Sequence, residues 1–431
     1  MTSMNNPLIG IVGLSHLGVV SSIGLASLGW TVCGVDADAD AVSRLQTGDC
    51  IFPEPSLQDL LTTHRGKLTY TTDWTKLQEC DIVIVGQDTF ITRENEMDVS
   101  RIHTFIDLMI PHLRPYVTIL FMSQVPVGFT RALAKKISEQ RPDLSFHLHY
   151  WVDVLVVGDA VERFLKPGRV IVGHDCMPGS LGKRVQRMFQ SLDCPVFHMN
   201  YESAEITKSA VNVYLATTVT FANALSNLCE AVGADWTQIM PAFKLDKRIG
   251  PFAYVKPGLG FSGGHLERDL VALTKLARSH HVENALLDLI QVESEKRYRW
   301  LTDRIDSLIL TKSTSPTIAI WGLSYKKNTD STHGAPSLKV IHDFSKRATL
   351  VAYDPLVKLP DSQITTVDDR YKALEGADGL LILSDWDEFK ALDISRLKKA
   401  MKNPVIIDPL GVLADVDFAT EDVCYVPMGR A

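Results

Sequence analysis

"LIGIVGLSHLG", Leu8–Gly18, is a short β-rich apolar run that breaks into closely spaced glycine and serine. Gly13, Ser15 and Gly18 fall on the three positions of a G-x-G-x-x-G turn directly after that strand. Such a turn presents the N–H groups of a helix N-terminus to a pyrophosphate, and its middle residue must be small so that the backbone can approach. Ser15 departs from the pattern, being small but not glycine. The turn alone describes equally well a tight strand-to-helix connection without a ligand. The next strand, "TVCGVDAD", Thr31–Asp38, closes on Asp36, 23 positions after Gly13. A carboxylate there binds ribose hydroxyls and repels a 2′-phosphate. The expectation is an NAD site, selective against NADP, built from Gly13, Ser15, His16, Leu17, Gly18 and Asp36.

Further β-rich runs, "DIVIVGQ", "VTILFMS" and "RVIVG", alternate with amphipathic stretches of helical length as far as about residue 195. This is the pattern of a parallel sheet covered by helices, an α/β domain. From about Glu202 to Val232 the chain has helical period and neither glycine nor proline, so one long central helix is expected. A second βα pattern begins at "TIAIWGLSYKKNTDS" and continues through "ATLVAYDPLV", "GADGLLILSD" and "NPVIIDPLG". "TKSTSPT", residues 311–317, is read as the hinge before it. The expected division is 1–195, 196–310 and 311–431, and the two βα parts duplicate architecture only.

Composition narrows the function classes. The 431 residues are 45% hydrophobic and 22% charged, with a formal net charge of -7, which offers no broad basic face for a phosphate backbone. Nucleic acid is not an expected partner. Seven cysteines are scattered without CxxC spacing, so they read as reduced thiols and no metal site is expected. The first residues lack a basic region before their apolar run, and no apolar stretch reaches the roughly 18–20 residues of a bilayer span. A soluble, cytoplasmic protein with a small-molecule substrate and no membrane partner is the expectation.

Beyond the glycine turn, "GDCIFPEPSLQDLL", "DAVERFLKPGRVIVG", "AEITKSAVNVYLATTVTFANALSNLCEAVGAD", "DKRIG", "GFSGG" with Asp269, "GLSYKKNTDST", "AYDP" and "DWDEF" follow one another. In order and spacing they resemble the UDP-glucose/GDP-mannose dehydrogenase family of nucleotide-sugar dehydrogenases along the whole chain. The resemblance implies two Rossmann-like, doubly wound domains joined by a long central helix on which homodimers form. It also implies an N-terminal NAD domain, a central dimerisation domain with the substrate loop and a C-terminal UDP-binding domain, serving polysaccharide biosynthesis. In that family a cysteine of the glycine loop traps a sugar 6-aldehyde as a thiohemiacetal. A second NAD oxidises the adduct to a thioester, and a glutamate-assisted water releases the acid.

Carried over residue by residue, the pattern breaks at the nucleophile. In "KPGLGFSGGHLERD", Lys256–Asp269, His265 stands where the family has cysteine. "WVDVL" puts Asp153 at the position of the family's glutamate, Val157 replaces a second one, Gln124 replaces a threonine, and His333 replaces an arginine that meets the substrate. What survives is Lys208 and Asn212, four apart on one helix face, resembling the pair that stabilises a developing oxyanion at C6. Asp269, one turn after His265, matches the water-activating aspartate. Arg248, Phe261, Gly263, Lys326 and Asp330 match substrate-binding positions. Each has a plainer reading. Lys208 can be a solvated helix lysine, Arg248 a surface ion-pair residue, and His265 polar filler in a site that has lost its reaction.

Oxidation of an alcohol to a carbonyl requires a hydride acceptor, a group to take the hydroxyl proton and a donor for the alkoxide. NAD, His265 and Lys208 with Asn212 supply these. Oxidation beyond the aldehyde needs a tetrahedral adduct, which a thiolate makes readily and an imidazole poorly. The expected activity is therefore a two-electron, NAD-linked step on the CH–OH group of a nucleotide sugar or related polar substrate. The alternatives are a four-electron dehydrogenase working through the aldehyde hydrate, a transient-oxidation epimerase, and a silent member that only binds NAD and ligand.

Overall fold

The structure, a computed structural model, describes residues 7–92, 96–175, 181–262, 264–360 and 364–430. Its contacts divide the chain into two compact units, Met1–Ala210 and Val211–Ala431.

The first unit is built on strands β1 (Leu8–Val12), β2 (Thr31–Val35), β3 (Leu68–Thr71), β4 (Ile82–Val85), the short antiparallel pair β5 (Phe90–Ile91) and β6 (Met97–Asp98), β7 (Val117–Phe121), β8 (Phe146–Trp151), β9 (Val170–His174) and β10 (Val196–Asn200). All but the short pair form one eight-stranded sheet in the order β10-β9-β8-β7-β4-β1-β2-β3. The connections carry helices α1 (His16–Ser27), α2 (Ala39–Thr47), α3 (Leu57–His64), α4 (Ser100–Met109), α5 (Phe129–Gln140), α6 (Ala160–Leu165) and α7 (Lys183–Gln190). Strand periodicity explains why both faces are covered. Ile9, Ile11, Ile82 and Ile84 point into a core shared with Leu17, Val20 and Ile23 of α1, while Val12, Val83 and Val85 enter the opposite core with Ile102, Phe105 and Ile106 of α4. The strands expected from the sequence are present, and the main-sheet pairings are parallel with one exception. "RVIVG" becomes β9, which pairs antiparallel with β8 and parallel with β10. Its approach from β8 carries only the short α6 rather than a full crossover, which permits the reversal. β10 lies beyond residue 195 and completes the sheet.

The central helix is α8, Tyr201–Val232, 32 residues long, one residue earlier than its sequence suggests. It begins in the first unit and continues in the second. The second unit also holds α9 (Trp236–Leu245), α10 (His265–Ser279), α11 (Ala285–Ile305), α12 (Pro336–Phe344) and α13 (Ile394–Ala400). Its sheet comprises β11 (Thr317–Trp321), β12 (Thr349–Tyr353), β13 (Thr365–Thr366), β14 (Gly379–Ile382), β15 (Val405–Asp408) and β16 (Cys424–Pro427), in the order β13-β12-β11-β14-β15-β16, all parallel. Among the described residues no helix is long and apolar enough to cross a membrane.

The two βα parts repeat a detail that the sequence reading left unnoticed. "GLS" ends the first strand of each, at Gly13–Ser15 and Gly322–Ser324. Both glycines have positive φ, 92° and 97°. In both turns the N–H of the following leucine donates to the carboxylate that closes the second strand: Leu14 to Asp36 Oδ2 at 2.6 Å and Leu323 to Asp354 Oδ2 at 2.7 Å. A buried aspartate thus locks each turn to its sheet.

Candidate active site

Glycine is demanded at both ends of the first turn. Gly13 adopts the left-handed conformation, and a Cβ on Gly18 would lie 1.8 Å from the Gly13 carbonyl oxygen. Closure of this turn brings the start of α1 against the carboxyl end of β1, as a dinucleotide cradle requires. Ser15 is the N-cap residue of α1, but its hydroxyl faces the β4 connection, donating to Gly86 O at 3.2 Å and accepting from Asp88 N–H at 2.8 Å. A glycine at this position could not make that link. Leu17 N–H donates to Asp88 Oδ2 at 3.1 Å. The His16 ring is held by Glu54 Oε1 at 2.8 Å, and Glu54 also accepts from the N–H groups of Gly158 and Ala160, so His16 braces the turn against the start of α6.

Asp36 is 1% exposed. Besides Leu14 N–H it accepts from Asp38 N–H at 2.9 Å, and the guanidinium of Arg101 on α4 lies 3.4 Å from Oδ1. Neither Asp88 nor Arg101 belongs to the G-x-G-x-x-G pattern. Both sit more than 60 positions away in sequence, and only the sheet order brings β4 and α4 beside β1 and β2.

Later in the chain of the first unit Lys208 on α8 donates to the Asp153 backbone carbonyl at 2.8 Å and meets the Asp153 carboxylate at 3.2 Å. Both side chains are 18% exposed, so the ammonium is held yet remains reachable. Asp153 Oδ1 accepts from Leu155 N–H at 2.7 Å, which fixes the carboxylate orientation. Lys208 is thus no solvated helix lysine.

In the second unit Asn212, one turn further along α8, donates through Nδ2 to Asp269 Oδ2 at 2.5 Å. Asp269 is fully buried and pairs with buried Arg268, whose Nε lies 3.1 Å from Oδ1. His265 is the first residue of α10, follows Gly264 at φ 75°, and is exposed. Asp269 follows it by one helical turn on the same face. The loop leading into α10 is fastened to α8 and α11: Gly258 N–H donates to Asn223 Oδ1 at 2.8 Å, and Phe261 N–H donates to Ser294 Oγ at 2.9 Å. Arg297, buried on α11, donates to Gly258 O at 3.3 Å and to Ser226 Oγ at 2.8 Å, and also bonds Asn227. Its burial pulls the guanidinium pKa down to about 10. The sequence reading missed Arg297 because an arginine within an amphipathic helix resembles any solvated cation.

The remaining substrate candidates do not gather in the same way. The Phe261 side chain packs partly buried against Val213, Leu270 and Ile290. Gly263 lies outside the described residues. Arg248 is paired with its neighbour Asp246 at 2.6 Å and its side chain is 89% exposed. Lys326 lies near the Tyr325 ring, in the loop after β11 that also carries exposed Asp330 and His333.

The sequence of the first unit, residues 7–193, matches the NAD-binding domain of the UDP-glucose/GDP-mannose dehydrogenase family. Residues 202–294 match its central domain and 319–415 its UDP-binding domain. The chain belongs to the UDP-glucose/GDP-mannose dehydrogenase family. It is 29% identical over 98% of its length to a UDP-glucose 6-dehydrogenase of Bacillus subtilis strain 168, of which 93% is covered. It is 28% identical, again over 98%, to a UDP-glucose 6-dehydrogenase of Rhizobium meliloti strain 1021, with 99% of that protein covered. A UDP-glucose dehydrogenase from Pyrobaculum islandicum superposes over 100% of this chain and 99% of its own with a TM-score of 0.88 at 23% identity, which establishes a shared fold. NAD is the cofactor of the family's first domain, and the turn at Gly13–Gly18 has the form that such a cofactor needs.

Proposed function

We propose that this family member is an NAD-linked oxidoreductase that acts on the CH–OH group of a nucleotide sugar in a single two-electron step. The observation that carries the proposal is the absence of a thiol from Lys256–Asp269, where His265 opens α10 one turn before buried Asp269. NAD supplies the hydride acceptor, held by Gly13, Ser15, Leu17, Gly18 and Asp36. His265 takes the hydroxyl proton, for which an imidazole is suited near neutral pH. The Lys208 ammonium and the Asn212 amide donate to the oxygen as it gains alkoxide character. Asp153 orients Lys208, and Asp269 orients Asn212. With imidazole in the nucleophile's place the carbonyl is not trapped as a covalent adduct, and reaction ends there or runs in reverse.

Arg248, Phe261, Gly263, Lys326 and Asp330 form the substrate-binding set in this reading. Residues 1–195 serve the cofactor, 196–310 the substrate loop and dimerisation, and 311–431 the nucleotide. The relatives' sugar, UDP-glucose, is the first substrate to try, and a cytoplasmic homodimer is the working form.

The test is His265→Ala. Turnover should fall about 10²–10⁴-fold, the usual worth of a positioned general acid or base, with NAD affinity unchanged and the near-neutral limb of the pH profile gone. Full activity in this variant would make His265 filler and reject its assigned role.

A further inference from the structure

The start of α1 already holds a carboxyl group, supplied by the chain itself. The Leu17 N–H belongs to the first turn of a 12-residue helix, where N–H groups lack intrahelical acceptors and attract negative charge. It donates to Asp88 Oδ2 at 3.1 Å. The carboxylate is steered there from its own backbone, since Asp88 N–H donates to Ser15 Oγ at 2.8 Å and Ser15 Oγ is anchored on Gly86 O. The departure from glycine at Ser15 and the carboxylate at Asp88 are therefore parts of one arrangement. A pyrophosphate entering this turn seeks the same N–H groups.

We propose that Asp88 is an intramolecular competitor for the cofactor pyrophosphate, which must release Leu17 N–H before NAD can seat, so that cofactor affinity rises as pH falls. The titratable groups acting on Asp88 among the described residues include His16 on α1, whose ring is held by Glu54, and Asp153 after β8, whose carboxylate is held by Lys208. Desolvation pushes the Asp88 carboxyl pKa up from its ordinary value. The Leu17 hydrogen bond, His16 and Ser15 act against this, and Asp153 adds to it. A carboxyl held this way takes up a proton more readily than an exposed aspartate. Once neutral, it loses the charge-assisted part of its bond to the helix, and the competing phosphate gains the site. No bond is made or broken beyond hydrogen bonds and one proton.

The inference rests on NAD occupying this turn, and calorimetric titration of the full-length protein with NAD, without substrate, separates the two ideas. Wild type, Asp88→Asn and Asp88→Gly are titrated at pH 6 and pH 8.5. Asp88→Gly should bind NAD at least about tenfold more tightly than wild type at pH 8.5, with Asp88→Asn between them, as the loss of one charged hydrogen bond implies. Wild type should gain affinity at pH 6, and both variants should lose most of that gain. The wild-type comparison stands even if a variant fails to fold. Equal affinities at both pH values, or weaker binding by Asp88→Gly, would overturn the proposal, the latter by making Asp88 a cofactor ligand. Absence of NAD binding in all three proteins would overturn the cofactor assignment along with it.

Discussion

Asp36 illustrates how one residue carries two tasks. Its Oδ2 ties the glycine turn to β2 through Leu14 N–H, a task that Asp354 performs identically after Gly322. The remaining valence faces the adenosine ribose in the cofactor reading, with Arg101 beside it. A 2′-phosphate would bring two further negative charges against this carboxylate, so NAD should bind at least about tenfold better than NADP. The Arg101 guanidinium beside this carboxylate is a favourable partner for such a phosphate, and Arg101→Ala should widen the preference. Fluorescence titration with the two reduced cofactors checks both statements. A ratio near one in wild type, or a narrower ratio in Arg101→Ala, would contradict them. His265 poses the opposite problem. The role proposed for it rests on residue type and register on α10, which are visible in the sequence, whereas the contacts of Asp88 and Arg297 are with partners that sequence spacing does not reveal.

At the scale of elements, the strands were readable wherever both faces are apolar, as in β1, β4 and β7, since these short runs rich in β-branched residues are soon followed by glycine or serine. β8, "FHLHYW", and β10, "VFHMN", were not, because histidines break the continuous apolar run there. The structure gives those histidines a purpose. His149 on β8, His174 on β9 and His198 on β10 form a hydrogen-bonded row, with Nδ1···Nδ1 2.9 Å between the first pair and Nε2···Nδ1 2.8 Å between the second. Burial, with the neighbouring imidazoles adding to it, lowers the pKa to about 3 for His149 and about 4 for His174. Both are therefore neutral in the folded protein at pH values where the unfolded chain is protonated. The stabilisation is fully present above the unfolded pKa near 6.5 and drains away as pH falls toward 4. Each of the two should forfeit about 2 kcal/mol between pH 7.5 and 5. Urea denaturation across that range measures the slope, and His149→Asn should flatten it. A wild-type stability independent of pH from 7.5 to 5 would contradict this account.

For the molecule as a whole, the order of parts was legible because the motifs are strung along the entire chain, but the chemistry of assembly was legible only as excess apolarity. α8 leaves Tyr214, Phe221 and Leu228 exposed at seven-residue intervals, with Val211 and Val232 also open, at 40–67% exposure. Such a stripe on a helix that already packs one face suits a two-fold partner helix. Light scattering at micromolar concentration should give a dimer mass near twice 47.8 kDa, and a monomer would remove the stripe from this role. With His265 and no thiol in the glycine loop, the enzyme is proposed to stop after a single hydride transfer. The most direct measurement is the NADH formed per molecule of product, with the product identified by mass, for wild type and for His265→Cys combined with Asp153→Glu. The account predicts one NADH and a carbonyl product from wild type, with acid appearing only in the restored variant. Acid at two NADH per turnover from the wild-type protein would contradict it.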